Sequence, residues 1–346
     1  MNLDALNAIA VKMVAPGKGI LAADESSGTI KKRFDAIAVE NTEENRRDYR
    51  QMLFGTAAAM QAHISGVILF DETIRQKAKD GTPLVKLIED AGAIPGIKVD
   101  KGAKPLAGQP GETVTEGLDG LRERFQEYHK LGARFAKWRA VIDIAQSLPE
   151  HKGIPTYNCV NANAQALARY AALAQENGIV PIVEPEVLMD GDHDIATCER
   201  VTSWVLESVF SQLFYAGVRP EGMVLKPNMV IAGKKCPTQN SVEEVATRTL
   251  KVLRRCVPPA VPGIAFLSGG QSDLDATAHL SAMNAMGPLP WGLTFSYGRA
   301  LQAAPQKAWS GKAENVPAAQ KAFAHRARMN SLAALGKWTP AEEKAA

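Results

Sequence analysis

The sequence contains little cysteine and no long apolar run, and both shortages restrict the class of protein that it can encode. Four cysteines are scattered among 346 residues without a C-x-x-C pair: Cys159, Cys198, Cys236 and Cys256. We expect free thiols rather than disulfide partners, as is usual in the cytoplasm. No apolar run reaches the roughly 20 residues that span a bilayer, and the amino terminus lacks the features of a signal peptide. These absences predict a cytoplasmic protein without a membrane-spanning segment.

An excess of charge of one sign is also missing. The 40 Lys and Arg residues nearly balance the 37 Asp and Glu residues, which leaves a net charge of +3. There is no long basic block, and aromatic residues do not alternate with basic ones, so we expect no nucleic-acid partner. The segment DGDHD (190–194) contains His193 among three aspartates but lacks the His and Cys spacing of a zinc site. We interpret it as a loop or a helix cap, and we expect neither a metal nor a cofactor.

What the sequence does contain is a regular alternation of short apolar runs and longer amphipathic segments. Eight runs are rich in branched residues: 19–26, 66–72, 94–100, 134–139, 179–186, 222–228, 263–270 and 292–299. Segments between them have the apolar spacing of surface helices: 41–63, 113–131, 160–177, 193–216 and 240–256. Alternating strands and helices predict an α/β fold with a parallel sheet. Eight strands in a chain of this length predict a closed (β/α)₈ TIM barrel.

We expect this barrel to form a single domain that covers residues 1–346. Leu3, Leu6 and Ile9 repeat at helical spacing and predict an amphipathic first helix. The polar, Ala-rich stretch from about 337 to 346 is expected to be a loose tail. The alternative architecture is an open doubly wound sheet. However, the first run ends in ADESSGT, which is not the glycine-rich fingerprint of dinucleotide-binding folds.

Charged residues interrupt five of the eight predicted strands near their carboxyl ends: Asp24, Lys98, Lys137, Glu184 and Lys226. Strands of a parallel sheet are buried on both faces and are normally almost continuously apolar. A lone buried charge costs several kcal/mol unless it is paired or reaches water. Because the carboxyl ends of barrel strands surround the active-site mouth, we interpret the five residues as one functional cluster rather than as separate structural ion pairs.

Neighbouring positions extend this cluster. Side chains two residues apart on a strand point in the same direction, so Arg139 and Glu186 should join it. The last two predicted strands end in the Gly-rich turns LSGGQS and SYGRA, which contain Ser268 and Arg299. Loops after these two strands are the usual phosphate site of such barrels. Arginine and the backbone N–H groups of glycine-rich turns both bind phosphate, so we predict a phosphate site there.

Three strand-end lysines beside carboxylates indicate catalysis by an amine. Lysine is a nucleophile only when neutral, and burial or a neighbouring ammonium lowers its pKa from about 10.4. The residue types alone leave Lys226 and Lys137 as equal candidates for a covalent imine. Glu184 or Glu186 would transfer the proton that accompanies the loss of water, as a carboxyl whose pKa is raised by its neighbour. Asp24 would accept the proton of a substrate hydroxyl.

The runs and their flanks also contain long motifs: KGILAADES, ENTEENRR, GVILFDET, FAKWR, NGIVPIVEPE, LKPNMV, FLSGGQS and TFSYGRALQ. From about residue 14 to 336, in order and spacing, they resemble the class I fructose-bisphosphate aldolase family. The resemblance implies a metal-free homotetrameric enzyme of glycolysis and gluconeogenesis. Such an enzyme reversibly cleaves fructose 1,6-bisphosphate to dihydroxyacetone phosphate and glyceraldehyde 3-phosphate through a lysine Schiff base.

The resemblance also assigns roles to individual residues. It makes Lys226 the imine-forming amine, Glu184 the acid/base of carbinolamine turnover and Asp24 the group that handles the hydroxyl proton. Three residues would orient the substrate and tune the charge: Lys137, Arg139 and Glu186. Four would bind the ketone-side phosphate: Ser268, Gly269, Gly298 and Arg299. Four would reach toward the far phosphate: Lys98, Ser26, Arg33 and Thr29, the last in place of a serine common in the family.

Two departures from animal members of the family leave details open. Animal members end in a flexible tail with a terminal tyrosine, to which proton exchange on the enamine is attributed. This chain ends in EEKAA and has no tyrosine after Tyr297. The segment 147–158 is longer than in the animal enzymes. The preference among fructose 1,6-bisphosphate, fructose 1-phosphate and sedoheptulose 1,7-bisphosphate also stays open.

Three other functions compete with this interpretation. A metal-dependent aldolase would place histidines at strand ends, but the eight apolar runs contain none. Another imine-forming ketose-phosphate aldolase on the same barrel, such as a transaldolase, would need only one firm phosphate site. A non-catalytic aldolase-like scaffold would be expected to have lost Lys226, Glu184 or Asp24, and all three are present.

Overall fold

Eight parallel strands close into a barrel in a computed structural model that describes residues 1–145 and 153–344. In chain order, the strands of the described residues are β1 Gly19–Ala23, β2 Ile64–Leu69, β3 Ile94–Lys98, β4 Ala103–Pro105, β5 Thr113–Thr115, β6 Phe135–Ile142, β7 Val180–Val187, β8 Val224–Leu225, β9 Gly263–Phe266 and β10 Gly292–Tyr297. Strands β4 and β5 form a separate antiparallel hairpin. The other eight follow one another around the barrel, and β10 pairs with β1 to close it. The predicted (β/α)₈ barrel is confirmed.

Helices connect the barrel strands and cover their outer faces. They are α1 Leu3–Met13, α2 Ser27–Asp35, α3 Glu43–Phe54, α4 Ala57–His63, α5 Asp71–Arg75, α6 Leu84–Asp90, α7 Leu121–Lys130, α8 Tyr157–Glu176, α9 Ile195–Tyr215, α10 Val242–Cys256, α11 Asp273–Ala285, α12 Arg299–Trp309 and α13 Val316–Ala334. Helix α1 confirms the predicted first helix, and α8, α9 and α10 confirm three of the predicted helical segments.

Two predicted helical segments are wrong in part. The segment 113–131 begins with strand β5, because its Thr-Val-Thr sequence favours an extended backbone and pairs with β4. Only its second half is helical, as α7. The segment 41–63 is divided into α3 and α4 at Gly55, whose N–H donates to the carbonyl of Gln51 at 2.8 Å. Glycine is common at such helix ends.

The amino-terminal end of the barrel interior is apolar and is closed by α1. Leu6 and Met13 of this helix form one buried cluster with strand residues that face inward: Ile20, Ile68, Ile94, Phe135, Val180, Ile182, Val224 and Ala265. Phe135 fits because its neighbours Gly66 and Gly96 have no side chain. A Cβ atom at Gly66 would lie 2.9 Å from the Phe135 ring. The interior is therefore plugged at this end, and the carboxyl ends of the strands form its entrance.

A larger apolar cluster fills the space between the strands and the surrounding helices. Trp138 of β6 belongs to it and stacks on Tyr170 of α8, with ring centroids 5.6 Å apart. Since neighbouring side chains on a strand alternate in direction, this contact confirms that Trp138 points outward. Lys137 and Arg139, on either side of it, point into the barrel.

The described part of the carboxyl-terminal stretch is held against α13, where the sequence led us to expect a loose tail. Glu343 accepts hydrogen bonds from Arg326 Nη1 at 2.7 Å and from Trp338 Nε1 at 3.0 Å. His325 Nε2 lies 2.9 Å from the same carboxylate. Residues 337–344 are thus anchored through one charged side chain that the polar composition of the stretch did not single out.

Two further expectations concern the chain as a whole. All four cysteines are unpaired, as predicted. In the part of the chain that the structure describes, no helix combines the length and the apolar character needed to cross a bilayer. Half of the insertion expected at 147–158, residues 147–152, lies outside the described residues, and the insertion stays a prediction from the sequence.

Candidate active site

A cavity of about 380 Å³ opens at the carboxyl ends of the barrel strands. Thirteen of the fourteen residues predicted for the site line it: Asp24, Ser26, Thr29, Arg33, Lys98, Lys137, Arg139, Glu186, Lys226, Ser268, Gly269, Gly298 and Arg299. The fourteenth, Glu184, is buried beside two of these lining residues. The fold thus brings together residues from seven strand ends, from the first two turns of α2 and from the start of α12.

Four charged side chains form a continuous series of ion pairs at the base of the cavity. Lys226 Nζ lies 3.0 Å from Glu184 Oε1, and Lys137 Nζ lies 3.3 Å from Glu184 Oε2. Lys137 Nζ also lies 2.7 Å from Asp24 Oδ2. Two ammonium groups therefore alternate with two carboxylates, which satisfies the requirement that buried charges be paired.

These contacts set the charge of two members of the series. Burial alone would raise the pKa of Asp24, but attraction to Lys137 and Lys226 outweighs burial and lowers the pKa from 3.8 to about 2. Burial alone would lower the pKa of Lys137, but attraction to Asp24 and Glu184 outweighs burial and raises this pKa above its ordinary value. At neutral pH, Asp24 is a carboxylate and Lys137 is a fixed ammonium.

The pKa of Glu184 corrects an expectation from the sequence. Burial raises this pKa, but Lys137, Lys226 and Arg139 lower it by a larger amount. The expected rise assumed that Glu186 would be the dominant neighbour. Instead, Glu186 accepts a hydrogen bond from Arg139, and Glu184 faces two ammonium groups. Glu184 is therefore a carboxylate that can accept a proton, rather than an acid that holds one in advance.

The turns after β9 and β10 form one wall of the cavity. Arg299 links them, because its Nη2 donates to the backbone carbonyl of Ser268 at 3.1 Å. Gly298 lies at the amino end of α12, where free backbone N–H groups favour anions. A Cβ atom at Gly269 would lie 3.0 Å from Glu186 Oε1, so glycine permits the close approach of this turn. The predicted phosphate-site residues are thus contiguous.

A second group of donors surrounds the start of α2. Ser26 Oγ and Thr29 Oγ1 are 3.2 Å apart, and Arg33 pairs with a neighbouring carboxylate, Glu25. Lys98 Nζ adds a further ammonium to the same cavity and lies 3.0 Å from the Asp100 carboxylate. Hydroxyl and cationic groups therefore occur both here and at the turns after β9 and β10.

Reasoning from the sequence missed Glu25, which also lines the cavity. Its buried carboxylate pairs with Arg33, lies 3.6 Å from Arg50 Nη2 and accepts a hydrogen bond from Gln302 Nε2 at 2.8 Å. Glu25 could have been found as the second acidic residue of ADES, which directly follows a buried strand. A carboxylate buried there needs cationic partners. Glu25 holds Arg33 at the edge of the cavity.

The segment DGDHD begins a helix. Among residues 1–145 and 153–344, no group of three or more His, Cys, Asp or Glu side chains is arranged to hold a metal ion. Asp194 is the N-cap of α9 and accepts a hydrogen bond from the Thr197 N–H at 2.8 Å. The helix-cap interpretation of this segment is confirmed.

The lowered pKa of Asp24 predicts a pH-dependent contribution to stability. A folded-state pKa of about 2 against 3.8 for the free side chain corresponds to about 2 kcal/mol, fully present above the unfolded-state pKa and lost as the pH falls through the folded-state pKa. Urea unfolding of the parent and Asp24→Asn proteins should therefore give a stability difference that shrinks by about 1 kcal/mol between pH 5.5 and pH 3.

Asp190→Asn is the matched control for this experiment. Asp190 forms an exposed ion pair with Lys234 at 2.7 Å, and exposed pairs contribute little to stability. Its difference from the parent protein should stay small at every pH. If the Asp24→Asn difference is as constant as the Asp190→Asn difference, Asp24 does not have the charged surroundings described above.

Sequence comparison places this site in a known family. The family model for class I fructose-bisphosphate aldolase matches residues 5–346. A probable class 1 fructose-bisphosphate aldolase of Xanthomonas campestris is 59% identical over 339 residues, which cover 98% of this chain and 99% of the relative. Fructose-bisphosphate aldolase C of Carassius auratus is 56% identical over 335 residues, which cover 96% of this chain and 90% of the relative.

Structural comparison agrees. A Plasmodium falciparum fructose-bisphosphate aldolase, solved in complex with TRAP and a small-molecule inhibitor, superimposes with a TM-score of 0.95 at 52% identity. The match covers 97% of this chain and 96% of that one. The resemblance inferred from the motifs is confirmed: the chain belongs to the class I fructose-bisphosphate aldolases, a family of carbon–carbon lyases.

Proposed function

We propose that Lys226 is the amine with which this aldolase reversibly cleaves fructose 1,6-bisphosphate, in glycolysis and gluconeogenesis. The observation that carries the proposal is the position of Lys226 Nζ, 3.0 Å from a Glu184 carboxylate that also contacts Lys137. A carboxylate at this distance can take the proton that the amine must lose before it attacks a carbonyl.

The same geometry supports the choice of Lys226 over Lys137, for which the residue types alone gave no preference. Lys137 contacts two carboxylates, Asp24 and Glu184, and its pKa is raised above the ordinary value. An ammonium held in this way is a poor nucleophile but a good electrostatic partner for developing negative charge. Lys226 pairs only with Glu184 among the described residues. This contrast supports Lys226 as the amine and Lys137 as the fixed charge.

Imine formation balances around Glu184. The Lys226 ammonium transfers a proton to the Glu184 carboxylate and then attacks the C2 carbonyl of the ketose, which becomes a carbinolamine. Protonated Glu184 returns its proton to the carbinolamine hydroxyl, which leaves as water. The products are a positively charged iminium and the original carboxylate. Two negative groups stay near the iminium, because Asp24 and Glu184 both have lowered pKa values.

Carbon–carbon cleavage follows with Asp24 as the base. Asp24 takes the C4 hydroxyl proton, and the C3–C4 bond breaks to release an aldehyde. The electron pair of the broken bond neutralises the iminium and gives an enamine. Attraction to Lys226 is one of the causes that lower the pKa of Asp24. Because this positive charge disappears as the enamine forms, the affinity of Asp24 for a proton rises at the step that delivers one.

The two groups of donors suit the two phosphates of the substrate. We assign the ketone-side phosphate to the wall formed by Ser268, Gly269, Gly298 and Arg299. We assign the far phosphate to the donors around α2, with Lys98: Ser26, Thr29 and Arg33. Donors at both ends favour a bisphosphate over a monophosphate sugar.

A non-catalytic scaffold would be expected to have lost Lys226, Glu184 or Asp24. All three belong to the series of ion pairs at the base of the cavity.

We also propose a homotetramer located in the cytoplasm, as the family resemblance implies. Phe214 and Tyr215, at the end of α9, are 79% and 77% exposed. Exposed neighbouring aromatic residues are typical of surfaces that a partner covers. Light scattering of the purified protein should give a particle of four chains, and a particle of one chain would contradict the proposal.

Borohydride trapping tests the role of Lys226. Reduction of the protein with dihydroxyacetone phosphate bound should add the mass of the reduced adduct to the peptide that contains Lys226. Lys226→Ala should abolish both the adduct and turnover, because no other amine in residues 1–145 and 153–344 contacts Glu184 without also contacting a second carboxylate.

Two controls make the result specific. Reduction without substrate should leave the peptide unmodified, and incubation with a chelator should leave turnover unchanged. An adduct on the peptide that contains Lys137, or normal turnover by Lys226→Ala, would refute the assignment.

A further inference from the structure

The strand that leads to Lys226 is only two residues long. Few backbone hydrogen bonds therefore hold the segment that contains Lys226 against β7. Strand β8 pairs with β7 only through Ile182 with Val224 and Val183 with Leu225. The last backbone hydrogen bond of this ladder runs from the Lys226 N–H to the Val183 carbonyl at 2.8 Å. Glu184 and Glu186 follow this hydrogen bond on β7, and Lys226 itself donates it from the other strand. The ladder thus ends where the reacting groups begin.

A proline in β7 explains why the ladder cannot continue. In a parallel pair, alternate residues of a strand bond to the same neighbour, so the β7 residues that face β8 after Val183 are Pro185 and Val187. Proline has no N–H to donate. On the other side, the residue that faces β7 after Lys226 is Asn228, because Pro227 faces β9, where its carbonyl accepts a hydrogen bond from the Leu267 N–H at 3.2 Å. The Val187 N–H is left as the remaining donor, without a strand opposite it.

Asn228 supplies the missing partner. Its side-chain Oδ1 accepts a hydrogen bond from the Val187 N–H at 3.0 Å. Its Nδ2 donates to Thr202 Oγ1 of α9 at 3.1 Å and to the Met229 carbonyl at 3.1 Å. The side chain is 1% exposed, and its amide offers the same acceptor and donor types as a peptide group. It therefore replaces the interrupted ladder.

We propose that Asn228 is a positioning residue for imine formation: its amide fixes the end of β7 against the segment that contains Lys226 and thereby sets the distance between Glu184 and the amine. The inference rests on the proposed function of Lys226. It concerns a proton transfer between two side chains, and such transfers depend strongly on distance. Substrate phosphates are bound elsewhere, so loss of the amide should slow the reaction without weakening binding.

Asn228→Ala tests this inference by steady-state kinetics and by rapid borohydride quenching. We expect kcat to fall by about 100-fold, as misplacement of reacting groups by about 1 Å can cause, while KM changes by less than about twofold. Adduct formation on Lys226 should become slower by the same factor as kcat. The adduct should still form on Lys226, since the amine itself is present.

Asn330→Ala is the matched control. Asn330 is equally buried, accepts a hydrogen bond from Thr277 at 2.8 Å and donates one to the Arg326 carbonyl at 2.9 Å, but it lies in α13 on the outside of the barrel. It should lose a comparable amount of stability in urea unfolding and keep the parent kcat. If Asn228→Ala behaves like Asn330→Ala, Asn228 is only structural and the inference is wrong. An increase in KM at unchanged kcat would overturn it as well.

Two further measurements keep the outcomes separate. If Asn228→Ala does not fold, Thr202→Val removes only the contact with α9 and should lower kcat in the same direction by a smaller factor. An unchanged kcat in that variant would count against the inference. If the parent protein forms no adduct on Lys226, the proposed function fails. If the parent protein is trapped normally and the variants react at the parent rate, only the role of Asn228 fails.

Discussion

One carboxylate, that of Glu184, is shared by the two buried amines of the site, and the difference between these amines depends on which of them has a second carboxylate partner. Lys137 has a second carboxylate partner in Asp24, at 2.7 Å, whereas Lys226 has none among the described residues. In a buried site with weak screening, one additional ion pair at this distance is a large difference. The position of Asp24 therefore makes Lys137 a permanent cation and leaves Lys226 with the shared carboxylate alone.

The barrel makes this arrangement possible by separating its apolar and charged parts along its axis. Phe135 and the residues of α1 fill the amino-terminal end with close-packed side chains, and this packing supports the fold. At the other end, buried ions are held by one another in pairs. Such ions contribute little to stability compared with apolar groups. These ions contribute instead to the reaction, because their charges are oriented before substrate binds and need little reorganisation.

Much of this site could be predicted from the sequence, because charged residues stand out in apolar strands and barrel topology gathers strand ends at one mouth. The sign of the Glu184 pKa shift could not, since it depends on distances to Lys137, Lys226 and Arg139 across neighbouring strands. Glu25 was missed because its partners come from α2, α3 and α12. The hairpin at Thr113–Thr115 was missed because its short strands lie beside a strong helical pattern. The role that we infer for Asn228 required the register of β7 against β8.

The difference between the two lysines is tested most directly by competitive acylation of the parent protein without substrate. Both amines line the same cavity and have similar exposed fractions, 6% for Lys137 and 5% for Lys226, so access does not favour either. Trace labelling with acetic anhydride over a range of pH, read out by mass spectrometry of the two peptides, compares their free-amine fractions. We predict that Lys226 is labelled at a pH where Lys137 stays unlabelled. Equal labelling of the two lysines at every pH would contradict the account.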